Sequence, residues 1–406
     1  MRFLFLLSFL LFIDFYSFQA IRVIAQQWSA MSRSILYGFF FAISAFSLFF
    51  VLINEFGLAH YFPKLFLVYG RAFVFVAYLS KFLILPFLLI DDVRRGVLWV
   101  ADKLNHKGTF NPSRLRFLSQ MGLGLGSVPF ISLTYGMIAN PYRYRIFRET
   151  VKIKDLPEGL KGLKIVQISD IHSGSFTFKE PVKHAIEMIN AENADLVFFT
   201  GDLVNDKADE MDNFLDVFDK IRAKHGVFSV LGNHDYGDYV PWKSPEAKSA
   251  NLERLKNVHQ QLGWDLLMNE HRMLQINGEP LAVIGVENYS AHLRFPKHGK
   301  LLEAHQGSDG AKVKLLLSHD PSHWEYQVTP QFRDIDLTFS GHTHGLQFGI
   351  EIPGWFKWSP IQYVYKQWAG LYQKEDQYLY VNRGLGFLGY PGRVGILPEV
   401  TVIELA

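Results

Sequence analysis

The chain predicts an α/β domain of two packed sheets flanked by helices, preceded by about four transmembrane α-helices. Two observations carry this. Long apolar runs with few charges fill the chain before about Ala139, and after Asn140 short β-branched runs alternate with helical stretches and end in polar motifs. The expected division is therefore a multi-pass transmembrane region over 1–139, a juxtamembrane connector with a first strand over 140–160, and a catalytic-type globular domain over 161–406.

A spanning helix needs roughly 20 apolar residues to cross a hydrocarbon core of about 30 Å. Four stretches qualify: 3–21, 34–53, 72–90 and 117–139. The second and fourth hold no charged residue. Arg2 followed by an apolar run could open a cleaved signal peptide, but Asp14 interrupts that run and no small-residue cleavage site follows, so the first stretch reads as a retained helix. Asp14 and Lys81 fall inside spans, where a charge must find a partner or reach the interface. Snorkelling of Lys81 to the interface is the preferred reading over a pair between the two. Lys and Arg counts in the loops nearly tie, with a lean toward a cytoplasmic loop holding Arg94, Arg95, Lys103, Lys107, Arg114 and Arg116. That lean puts the globular domain on the outer face of a bacterial inner membrane.

The globular part is long enough to bury one large core. Strands are expected at 149–153, 164–169, 195–200, 227–231, 312–317 and 335–339, and helices at 179–192 and 208–224, from their two- and three-to-four-residue apolar periods. The first part reads β-α-β-α-β. In such sheets ligands gather at the carboxyl ends of strands, where backbone pairing stops and loops converge.

Each motif sits at such an end. Asp170-Ile171-His172 offers a carboxylate and an imidazole to one ion, although such a pair is common in solvated loops. In Gly201-Asp202 the glycine permits a tight exit from the strand, and the two carboxylate oxygens can bridge cations about 3.5–4 Å apart. Gly232-Asn233-His234-Asp235 places an amide oxygen suited to a hard cation beside an imidazole and a carboxylate. His319-Asp320 follows another strand. In Gly341-His342-Thr343-His344-Gly345 alternate imidazoles can reach neighbouring ions from a loop that its glycines leave free to bend. Taken singly each has an ordinary loop reading; five in succession do not.

In this order the motifs resemble the calcineurin-like metallophosphoesterase superfamily, over roughly 162–406. Within it they are similar to the bacterial YkuE/YaeI-like branch, which also shares the late Asn382-Arg383-Gly384-Leu385-Gly386 and Pro398-Glu399. The resemblance implies a four-layer α-β-β-α sandwich holding two divalent metal ions. One would be bound by Asp170, His172, Asp202 and His344, the other by Asp202, Asn233, His319 and His342. A nitrogen and oxygen set without sulfur suits Mn, Fe or Zn. It further implies His234 as the acid for a leaving alkoxide, with Asp235 or another carboxylate orienting its ring; the plainer reading of His234 is a structural histidine beside the ligands. The chain departs from the branch at Leu346, where a second glycine is usual.

With no cysteine, disulfides, thiolate-bound zinc and cysteine nucleophiles are excluded, and a net charge of +2 without a basic run implies no nucleic-acid partner. The expected function is hydrolysis of a phosphomonoester, phosphodiester or pyrophosphate. The rival is a membrane receptor or scaffold whose similar domain binds metal or phosphate without turnover. The expected partners are the lipid bilayer and a phosphoester substrate. A lipid-linked substrate would account for both the spans and the aromatic stretches 289–295 and 355–368, for which core packing is the default reading and a bilayer-facing or site-lining wall the alternative. His323, four residues after His319, reads as a surface residue before a substrate contact; the histidines outside the motifs read as structural or exposed.

Overall fold

A computed structural model describes residues 1–105, 112–352 and 354–406, and the chain divides into two compact units, Met1–Ile138 and Ala139–Ala406. His106 and Lys107, assigned above to the membrane region and its charged loop, lie outside the described residues.

The first unit holds α1 (Arg2–Ala25), α2 (Ala30–Glu55), α3 (Lys64–Asn105) and α4 (Pro112–Ala139). All four are long and apolar enough to cross a membrane. Small residues bring the helices together: a Cβ on Gly126 would lie 2.7 Å from the Ser80 carbonyl oxygen of α3. Lys81 does not snorkel. Its Nζ lies 2.6 Å from Asp14 Oδ1 and 2.8 Å from Ser44 Oγ, Tyr78 Oη donates to Asp14 Oδ2, and both charged side chains are buried. Hydropathy alone could not show this, because the pair joins residues 67 positions apart.

The second unit has fourteen strands among its described residues. The first seven are β1 (Arg145–Val151), β2 (Lys164–Ile168), β3 (Leu196–Phe199), β4 (Val227–Ser229), β5 (Asp265–Leu266), β6 (Glu270–Ile276) and β7 (Glu279–Gly285). The rest are β8 (Val313–Leu317), β9 (Leu337–Ser340), β10 (Ile350–Ile352), β11 (Phe356–Trp358), β12 (Gly370–Lys374), β13 (Gln377–Val381) and β14 (Glu399–Leu405). One sheet runs β1-β14-β2-β3-β4-β5, a second β12-β13-β9-β8-β7-β6, and β10-β11 form a separate ribbon. The strand expected in the connector is β1, which pairs in parallel with β14.

Alternation along the strands makes the layers. Leu196 and Phe198 point into a core shared with Val283, Leu315 and Phe339 of the second sheet, where the Phe198 and Phe339 rings meet edge to face at 4.9 Å. Val197 and Phe199 point the other way, against Val182 and Ile186 of the helix Lys179–Ala191. On the far side Ile284 and Leu316 pack on Trp324 and Val328. The helix expected over 208–224 is instead two short turns, Ala208–Met211 and Leu215–Phe218; Met211, Phe214 and Phe218 still reach the core, and it was their spacing that resembled a helix. Because β2, β3 and β4 run parallel, as do β7, β8 and β9, the carboxyl ends within each set lie together.

Candidate metal centre

The loops leaving β2, β3 and β4 carry Asp170 and His172, Asp202, and Asn233 with His234; those leaving β8 and β9 carry His319, and His342 with His344. Backbone bonds lock these exits to one another. Asp170 N–H donates to the Gly201 carbonyl and Gly341 N–H to the His319 carbonyl, both at 2.9 Å. The His342 N–H donates to both Asp170 oxygens at 3.0 Å, tying the second sheet to the first. Glycine is required where the loops touch: a Cβ on Gly341 would lie 2.2 Å from Asp170 Oδ2, and one on Gly232 would lie 2.2 Å from Asp202 Oδ1.

The backbone is strained where the donors sit. Asp170, His172, Asp202, His342 and His344 all have left-handed φ, between 46° and 72°, a region costly for residues with a side chain. Such strain persists where the surrounding fold over-determines it. Leu346, at the position where the related branch has glycine, also holds φ 54° and is half exposed.

Two groups of donors result. Asp170, His172 and His344 form one, and Asp202, His319 and His342 the other, with donor atoms inside each group within 4.8 Å of one another. Asp202 Oδ2 stands 3.6 Å from His172 Nε2 and 3.2 Å from His319 Nε2, so the carboxylate faces both groups. Asn233 Oδ1 lies 2.8 Å from His342 Nδ1.

Hydrogen bonds outside the cluster choose the tautomers. His319 Nδ1 faces the Thr200 carbonyl at 2.7 Å, so its proton sits there and Nε2 is left toward Asp202. Tyr365 Oη donates to Asp320 Oδ2 and accepts from His342 Nε2 at 2.8 Å, leaving His342 Nδ1 bare toward Asn233 Oδ1 and His319 Nε2. His172 Nε2 and His344 Nε2 face each other at 3.1 Å. His344 Nδ1 faces an Arg393 N–H at 3.4 Å, so its proton sits on Nε2, toward His172 Nε2 and Asp170 Oδ1, where a bound cation would take its place. Electrostatics agree. Burial pushes His172 down to about 3 and His342 down to about 4, leaving them neutral. His319 moves up to about 10 against its burial because the Asp202 carboxylate holds a second proton, on Nε2, which a bound cation would replace. The chain's own residues thus fit two divalent cations, and the site draws positive charge to itself without them.

His234 is half-buried at the edge of this cluster, with its ring edge-on to His172 at 5.0 Å and 4.4 Å from the Tyr239 ring. Asp235 does not reach that ring. Its carboxylate accepts the N–H groups of Asp202, Leu203, Val204 and Gly232, and His234 Nδ1 meets the Asn205 carbonyl at 2.7 Å instead. The carboxylate faces mainly the loop after β3, and the Asn205 carbonyl holds the His234 ring in its place. His323 is not a surface residue: it is buried, bonded to Ser318 Oγ and Gln327 Oε1.

Tyr365, Asp320 beside His319 and the Asn205 carbonyl are given no role by the sequence. Asp320 adjoins His319 and was legible in principle; the others are brought in by tertiary folding. The aromatic stretches divide. Phe295 packs edge-on to His342 at 4.7 Å, Trp368 is buried, and Trp355 and Tyr363 are exposed.

Residues 163–346 match the family described as calcineurin-like phosphoesterase, and residues 1–141 match one described as a probable calcineurin-like phosphoesterase transmembrane domain. A transmembrane protein with metallophosphoesterase domain from Danio rerio is 28% identical over 67% of this chain, which spans 59% of that relative's length. The metallophosphoesterases YkuE and YkoQ of Bacillus subtilis are 28% and 27% identical, over 72% and 65% of this chain and 97% and 95% of theirs. The matched segments, the α/β sandwich and the paired His/Asp clusters agree, and the chain belongs to the calcineurin-like metallophosphoesterase superfamily, with an N-terminal multi-pass membrane region.

Proposed function

We propose that the chain hydrolyses a phosphomonoester, phosphodiester or pyrophosphate, lipid-linked in its natural form, at a centre of two Mn, Fe or Zn ions. The observation that carries this is the pair of His/Asp groups with Asp202 Oδ2 facing both, and His342 Nδ1 turned bare toward Asn233 Oδ1. Asp170, His172, Asp202 and His344 would hold one ion, and Asp202, Asn233, His319 and His342 the other. When bound, two such ions lower the pKa of a water and neutralise charge growing on the phosphoryl oxygens.

The chain supplies the rest. Tyr365 and Asp320 keep the His342 proton on Nε2, and Thr200 keeps the His319 proton on Nδ1. Asn205's carbonyl holds a proton on His234 Nδ1, so a second proton must occupy Nε2 for His234 to act as an acid. In that imidazolium form Nε2 donates to the leaving alkoxide, and the ring returns to its Nδ1–H tautomer. Asp235, buried beneath, fixes the turns that present Asp202 and His234. The protein is a multi-pass membrane protein with bacterial relatives. We place it in the inner membrane with this domain on the outer face, supported by the loop charges around Arg94 and Arg116.

The test is turnover of an aryl phosphate and a bis-aryl phosphate by the full chain loaded with Mn. His234→Ala is expected to lose about 10²–10⁴ in kcat while keeping its metal. Metal-loaded, folded protein inert toward aryl esters and phospholipid phosphates alike would sink the proposal.

A further inference from the structure

The ribbon of β10 and β11 is inside out. Its register pairs Ile350 with Trp358, Glu351 with Lys357, and Ile352 with Phe356, so Ile350, Ile352, Phe356 and Trp358 share one face and the two charged residues share the other. In a ribbon lying on a water-soluble domain the charged face would look outward. Here it looks inward. Glu351 accepts from buried Arg383 at 3.0 Å, and Lys357 Nζ donates to the Ala369 carbonyl and lies 4.7 Å over the Tyr372 ring. Those contacts pin the ribbon and leave its apolar face outermost, with Ile350 54% and Phe356 48% exposed and Trp355, just before β11, 80% exposed. Tyr363, 78% exposed, extends the face through the contact of its hydroxyl with the Trp358 indole at 3.5 Å. An outward aromatic and aliphatic face of this kind needs an occupant.

We propose that the occupant is the headgroup layer of the lipid bilayer. Trp and Tyr favour that layer, because each presents an apolar body and a polar tip. The domain's internal contacts set the place. Asn140 follows directly in the chain on the fourth apolar helix, which ends at Ala139, and its side-chain amide donates to the Arg393 carbonyl at 2.9 Å. The next residue, Val394, bridges Phe348 and accepts from Gly349 N–H, and the residue after Gly349 is Ile350, where the ribbon begins. The ribbon therefore leaves the domain beside the point where the chain enters it. Past the ribbon, Ser359 Oγ bonds the Gly345 carbonyl and Tyr365 bonds His342, so the same segment ends at the metal centre. Docking of this face would open the centre toward phosphoesters carried in the bilayer, a consequence that rests on the phosphoesterase reading; the docking itself does not.

The chain has no native cysteine, so single labels can be placed without background. Full chains carrying Ile352→Cys, or as control Lys312→Cys at the opposite end of β8 from His319, would be labelled with an environment-sensitive fluorophore. They would be placed in nanodiscs of equimolar phosphatidylethanolamine and phosphatidylglycerol, with and without headgroup-region spin-labelled phosphatidylcholine. The label at 352 is expected to be blue-shifted and quenched at least about twofold more than that at 312. Equal quenching at both positions would overturn docking. A blue shift at 352 without quenching, growing with the number of chains per disc, would assign the face to a second copy and overturn it as well. Aryl phosphate turnover, measured beside the quenching, separates the two proposals. Quenching that survives while the unsubstituted chain proves inert breaks the phosphoesterase reading alone, and lost quenching with intact aryl phosphate turnover breaks docking alone.

Discussion

The molecule buries charge in two places, and it balances them differently. Between α1 and α3, Asp14 meets an ammonium of the chain's own, and Ser44 and Tyr78 take up the remaining hydrogen bonds. At the carboxyl ends of β2, β3, β4, β8 and β9 the chain collects carboxylates, imidazoles and an amide oxygen in strained loops, and turns the bare His342 Nδ1 on Asn233 Oδ1. A self-compensated pair is finished when the helices pack. An acceptor-rich cluster is finished only by something from outside, which separates a structural charge from a binding site without reference to any relative.

The largest expected effect tests the second half of that contrast. Asp202→Asn removes the one carboxylate that faces both His clusters, and should cost several kcal/mol of transition-state stabilisation, about 10³-fold or more in kcat. It should also abolish the thermal stabilisation by Mn, which in the unsubstituted chain should reach about 2.7 kcal/mol at a hundredfold excess over Kd. A variant that still bound two equivalents of Mn would mean that Asp202 is no bridge. The first half is tested next. Lys81→Met alone should destabilise the chain by about 3–5 kcal/mol, because it strands a buried carboxylate, and adding Asp14→Asn should recover much of that. Equal thermal unfolding of the single and double variants would show that the pair is not coupled.

A third buried polar group refines the contrast, because it has no charge to balance. His259 is fully buried against Ser229 Oγ and Trp264, and burial pushes it down to about 3. Only the unfolded chain takes its proton near pH 6.5, so its contribution to stability is complete above that value and falls below it, by up to about 1.4 kcal/mol per pH unit until about pH 3. Denaturant titrations should show that slope flattened in His259→Asn. The smallest effect concerns strain: Leu346→Gly should stabilise by about 1 kcal/mol, since glycine adopts φ 54° without crowding its carbonyl. No rise in Tm would show that the exposed leucine makes up elsewhere for its backbone.

The donor set was legible in the sequence because each motif ends a short apolar strand and most sit beside a glycine, which places them at one edge of a sheet before any coordinates exist. What escaped was decided by contacts between distant residues. Tyr365 reaches His342 through the loop after β11, and nothing in its neighbourhood distinguishes it from the core aromatic Trp368. Asp235 looked like a partner for the ring next to it, yet four backbone N–H groups claim its oxygens. The stretch 208–224 had helical spacing, and its apolar residues are buried as that spacing implies, but through two turns. The outward face of the β10-β11 ribbon was visible only as aromatic content, because which side of a strand is inside is set by what its charged residues find to bond.

The position of β14 has a consequence for biogenesis. In the first sheet it lies between β1 and β2, with Arg145 opposite Glu399 and Val151 opposite Leu405. A ribosome that has inserted the four helices and made β1 must translate through residue 405 before that strand has its neighbour. Until then β1 waits as an open edge close to the translocation machinery, where unpaired strands invite wrong partners. The edge of β1 that β14 covers is therefore the last part of this sheet to find its partner.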